Sequence, residues 1–124
     1  MNKTISVFIC AMLIALASCG SSISDKINDS KALSAADYSE MVDYMYEAMC
    51  DMEEINRTAD PYDQESLMAS IHEVTQEYPL VPLYYTACMK AVNSDSENFN
   101  KNTVNMQKFG RVVDCMARGW GKFW

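Results

Sequence analysis

Histidine is nearly missing: His72 is the only one in 124 residues. A catalytic zinc needs three protein ligands. His72-Glu73-Val74-Thr75-Gln76 opens like the metal-binding helix motif His-Glu-x-x-His, but Gln76 stands where the second histidine must be. That second ligand, one turn on, is what would hold the metal over the glutamate, so His72 reads as a surface residue beside an apolar stripe. Glycine is also scarce, at four, and no glycine-rich phosphate loop or serine nucleophile elbow occurs. Bases are outnumbered, 10 against 17 acids, for a net charge of −7, which argues against nucleic acid as a partner. No apolar run approaches the roughly 20 residues that cross a bilayer. Strand-like runs are confined to Tyr84-Tyr85-Thr86 and Arg111-Val112-Val113, each embedded in helical periodicity.

The chain does have a distinctive start. One cation, Lys3, precedes an almost wholly apolar stretch from Ile5 to Leu16, and small residues follow. A charged start, a short apolar middle and small residues at the end make a secretory signal peptide. Leu16-Ala17-Ser18-Cys19 resembles the lipobox of bacterial lipoproteins: a leucine, two small residues and a cysteine. The resemblance implies cleavage before Cys19, diacylation of its sulfur and acylation of the new N-terminus. Each buried acyl CH₂ contributes about 0.8 kcal/mol, and two or more chains hold a protein stably on a membrane. A rival small-x-small site, Ala15-Leu16-Ala17, would instead release a soluble protein. The implied organisation is a signal peptide over 1–18, a lipidated Cys19 with a flexible tether over 19–33, and a domain over 34–124.

The domain reads as all-α, a bundle of three or four helices. Ser34 suits the N-cap of the first helix, with Asp37 at N3 and Leu33 placed to staple onto Tyr38. Tyr38, Met41, Val42, Met45, Met49, Met52 and Ile55 recur in steps of three and four, one helix face. Asp60-Pro61 predicts the next start, with proline at N1. Leu67, Met68, Ile71, Val74 and Tyr78 form its stripe, and Pro79 stops it. A third helix spans about 82–92, directing Leu83 or Tyr84, Ala87, Cys88 and Ala91 inward, and Asn93 to Ser96 is a turn cluster. The last helix places Phe99, Met106, Phe109, Val113, Met116 and Trp120 on a near-heptad stripe that Asn102 interrupts. Gly110 would admit a close neighbour or mark a bend, and Gly119 suits a C′ stop.

Charge is unevenly spread. Asp25 to Tyr78 carries fourteen acids and three bases, whereas Glu97 to Trp124 carries five bases and two acids. The expected arrangement sets the basic last helix beside acidic ones; a basic face for anionic lipid or a partner is the alternative. Carboxylate pairs such as Glu53-Glu54 and Asp60…Asp63 read as solvated face or caps. The methionines of the first helix suit core packing; soft-metal binding and an adaptable groove are the other uses of such a stripe. Cys50, Cys88 and Cys115 fall on three different helices. In an oxidising compartment they predict one disulfide and one free thiol, with Cys88 as a member of the pair. Lipidation therefore falls on Cys19, the disulfide candidates are Cys50, Cys88 and Cys115, and no catalytic residue, metal site or cofactor is assigned. The functional expectation is a membrane-anchored envelope lipoprotein with a small helical binding domain of unknown partner, another envelope protein being one candidate. The alternative is a soluble, secreted, disulfide-bonded helical protein carrying a small ligand or soft metal ion.

Overall fold

The computed structural model describes residues 22–124, so the signal peptide and the lipobox lie outside the described residues. The chain divides after Leu33, and all regular structure among the described residues is helical. Before the division, the expected irregular tether is replaced over Ile23–Asn28 by a short helix, α1. Ser22 caps it by accepting a hydrogen bond from the Asp25 amide. Ser30, at φ 55°, closes it: the Lys31 amide reaches the Lys26 carbonyl and the Ser30 amide that of Ile27, a Schellman ending. Composition hid this helix because serine and asparagine favour caps as well as loops.

From Ser34 onward the long helix α2 (Ala35–Thr58) is the element the others pack on: α3 (Gln64–Glu77), α4 (Val81–Ser94), α5 (Ser96–Asn100) and α6 (Asn105–Ala117) all contact it. Its start is a full capping box. Ser34 Oγ accepts from the Asp37 amide at 3.1 Å and Asp37 Oδ2 accepts from the Ser34 amide at 2.9 Å. Met41, Met45 and Met52 are fully buried, with Tyr38, Val42, Ala48 and Met49 beside them. The methionine stripe is core.

Three boundaries differ from the sequence reading. First, Asp60 does not cap α3. Its carboxylate accepts the Tyr62 amide within a turn, and Asp63, accepting the Ser66 amide, is the cap. Pro61 thus serves the turn, where its fixed φ is equally useful. Met68, expected inward, is half exposed, and the core takes Ile71 and Val74. Second, α4 runs through Asn93 and breaks only at Asp95. It buries Val81, Tyr84, Cys88 and Ala91.

Third, the expected last helix is two helices, α5 and α6, separated over residues 101–104. The interruption resets the helical phase. Asn105, Phe109, Val112 and Cys115 face inward, where the uninterrupted stripe expected Met106, Val113 and Met116; Met106 is largely exposed. Asn102 belongs to the break, accepting the Val104 amide and donating to Ser39 Oγ. The buried Asn105 amide donates to the Phe99 carbonyl at 2.9 Å, which satisfies an oxygen freed where α5 ends. Gly110 meets no neighbour within 4 Å, so it admits no close packing.

Gly119 ends α6 at φ 103°, as its C′ position predicts. A 3₁₀ turn, Trp120–Phe123, follows. A Cβ on Gly121 would stand 2.8 Å from Met116 Sδ, a contact that the flexible methionine side chain would have to shift to relieve. Trp120, Phe123 and Trp124 pack against Met52, Ile71 and Val74, and the Trp124 indole donates to the Tyr78 carbonyl at 2.8 Å. The aromatic tail closes one end of the bundle. At the other end Tyr38, Phe99 and Phe109 stack edge to face at 5.6 and 5.7 Å, a favoured aromatic geometry.

Candidate functional site

The chemistry-bearing side chains gather along the seam between α2 and α6. α2 is acidic on its outer face and α6 basic, and ion pairs join them: Lys108 to Asp43 at 2.7 Å and Arg118 to Glu53 at 2.9 Å. The intramolecular arrangement expected from the charge asymmetry is therefore formed. Pairs this exposed are weakened by solvent screening; they orient the helices more than they hold them.

A cleft of about 190 Å³ opens on this seam. α2 lines it with Tyr46, Met49, Cys50 and Glu53. Arg111, Asp114 and Cys115 of α6 and Arg118, just beyond it, form the other wall. Helical spacing explains the grouping. Cys50 and Glu53 are three residues apart, as are Arg111 and Asp114, and Cys115 and Arg118, so each pair shares a face. Glu53 is the centre. Its Oε1 accepts from the Cys115 thiol at 3.1 Å and from Arg118 at 2.9 Å, and Arg118 also donates to Cys115 Sγ at 3.2 Å. Arg118 Nε lies 3.3 Å from Asp114 as well.

These contacts set the proton affinities. The thiol of Cys115 and then the guanidinium of Arg118 hold the Glu53 carboxyl below its ordinary range. Burial pushes Cys115 up to about 11, with the carboxylate of Glu53 adding to the rise. Cys115 is thus a neutral thiol at physiological pH, with a carboxylate in place to receive its proton. Neutral thiols are poor nucleophiles. The resting site is unreactive, but a reaction that draws the proton to Glu53 would leave the sulfur anion beside Arg118.

The cysteines separate clearly. Cys50 is exposed, Cys88 and Cys115 are buried, and all three are free thiols. The structure therefore lacks the disulfide expected from the sequence, and it gives Cys88 a different role. Cys88 is enclosed within the α4 packing, and burial raises its thiol to about 12, the setting of an inert structural cysteine. Cys50 and Cys115 line one cleft. Cys19 lies outside the described residues. His72 is exposed, and among the described residues no three of His, Cys, Asp and Glu are grouped to hold a metal ion.

Glu53 and Arg118 escaped the sequence reading. Glu53 was grouped with Glu54 as solvated face. That holds for Glu54, which pairs with Arg57 on its own helix. Glu53 differs because α6 packs over it, a contact 62 residues away in sequence that no local pattern announces.

A second cleft, of about 180 Å³, lies where α2 meets the turn into α3, lined by Ile55, Thr58, Asp60, Asp63 and Leu67 among others. Both clefts fall below the roughly 300 Å³ at which small-molecule pockets begin. No family model, curated protein or solved structure matches the chain.

Proposed function

We propose that the chain is a lipoprotein of the bacterial cell envelope, held on a membrane through acylated Cys19, and that its helical domain binds another envelope protein. The observation that carries the anchor is Leu16-Ala17-Ser18-Cys19 directly after a short apolar run. No helix among the described residues is long and apolar enough to cross a membrane. An interaction module suits the domain better than a carrier does, because the two clefts are small and open. Exposed apolar side chains point the same way. Tyr62 is 95% exposed and Met68 48%, on the acidic turn and first part of α3 that also carry Asp60, Asp63 and Glu65. Such a surface suits a partner that is apolar with a basic rim.

The test of the anchor is Cys19→Ser. The native chain should take up labelled fatty acid and fractionate with membranes, and the variant should do neither. Equal labelling and equal fractionation of the two would refute the proposal. The competing site Ala15-Leu16-Ala17 supports one other reading, release as a soluble protein, for which N-terminal sequencing would find Ser18 unmodified as the first residue.

A further inference from the structure

We propose that Cys50 and Cys115 are a dithiol site, closed across the α2–α6 cleft into a disulfide by a low-molecular-weight disulfide, with Glu53 as the base for the second thiol. The two cysteines line the same cleft. Cys50 stands one helical turn before Glu53, the residue whose carboxylate touches Cys115 Sγ at 3.1 Å, and side chains three apart on a helix are neighbours. Cys50 is thus one turn from a direct contact of Cys115, on helices already packed together. A disulfide needs Cα atoms within about 7 Å, so the cross-link forms by drawing together the two walls of the cleft that both cysteines line.

The unequal exposure of the two thiols dictates the order of events. Cys50 is open to solvent, so it meets the external disulfide first. Its thiolate attacks one sulfur, forms a mixed disulfide and releases one thiolate of the reagent. Cys115, only 1% exposed, is shielded from the reagent but adjoins the mixed disulfide. Its proton passes to Glu53, its sulfur displaces the second half of the reagent from Cys50, and that leaving thiolate recovers the proton from Glu53. Two protein thiols become one disulfide, and one reagent disulfide becomes two thiols. Arg118, 3.2 Å from Cys115 Sγ, stabilises the anion at the moment of attack. Cys88 lines neither cleft and takes no part.

The experiment uses the full-length chain carrying Cys10→Ser and Cys19→Ser, so that three cysteines remain and acylation plays no role. Its outcome is therefore independent of the lipoprotein reading. The reduced protein is treated with oxidised glutathione, quenched with an alkylating agent and mapped by mass spectrometry. The expected product is a Cys50–Cys115 cross-link with Cys88 alkylated, and Cys50→Ser should leave no internal cross-link. Glu53→Gln, with helicity checked by circular dichroism, should slow the second step about a hundredfold or more, so that the Cys50–glutathione adduct accumulates. The rate should then climb more steeply with pH, and Glu53→Asp should restore part of it. A permanent adduct on Cys50 in the otherwise native chain, or a cross-link that includes Cys88, would overturn the proposal. An unchanged rate and pH profile in Glu53→Gln would overturn the role of Glu53.

Discussion

At the scale of single residues, the core depends on methionine to an unusual degree. Met41, Met45, Met49 and Met52 occupy successive turns of α2 and are at most 2% exposed. Unbranched thioethers fill irregular gaps among several helices, which suits a helix that four others contact. Their burial has a measurable consequence. Met45→Ala should cost about 2–5 kcal/mol of unfolding free energy, the usual loss for a buried long side chain, while Met68→Ala on the exposed face should change it by less than about 0.5 kcal/mol. Urea denaturation of both variants checks the contrast, and an unaltered midpoint for Met45→Ala would contradict the packing. The α2 methionines were legible in the sequence because cap and period agree: Ser34 fixes where the helix starts, and steps of three and four fix its inward face. Glu53 was not legible, since its partners arrive from another helix.

At the scale of elements, the break between α5 and α6 decides the register of the last helix. Neither proline nor glycine marks residues 101–104, so the heptad from Phe99 reads on through Met106 and Val113. The signal that was present is Asn102. Its side chain takes the Val104 amide, and asparagine competes with helix geometry in this way. A one-residue change of phase turns a helix face by about 100°. That turn is why Cys115 reaches the α2 seam. Asn105→Ala tests the register. It strips a buried carbonyl at Phe99 of its donor and should cost about 1–3 kcal/mol, whereas Met106→Ala should be nearly neutral. The reverse order in thermal or urea unfolding would restore the uninterrupted stripe.

For the whole molecule, the titrating groups predict where stability is lost. Burial raises the hydroxyls of Tyr38, Tyr44, Tyr78 and Tyr84, that of Tyr78 to about 12. For Tyr38 and Tyr78 the hydrogen bonds to Asp95 and Asp51 add to the effect. Cys88 and Cys115 are raised in the same direction. The unfolded chain releases these protons near pH 9 for cysteine and pH 10 for tyrosine, before the folded one does. Between the unfolded and folded values the native state binds more protons, so stability falls as pH rises. The stabilisation is complete below about pH 9 and declines above it. Urea midpoints measured under reductant should drop between about pH 9 and about pH 12, and Tyr78→Phe should flatten part of the decline. A midpoint constant over that range would show that these groups titrate alike in both states.

Vectorial synthesis gives the central position of α2 a further meaning. The ribosome delivers α2 well before α6, the helix that covers its methionines and Glu53. At roughly 5–20 residues per second, the interval between Thr58 and Asn105 is about 2–10 s. Throughout that time α3 and α4 can pack on α2, but the part of its face that α6 covers stays open. If the chain is exported as proposed, it would gain from this delay, because the helix on which α3 to α6 assemble is not fully packed until α6 has been made.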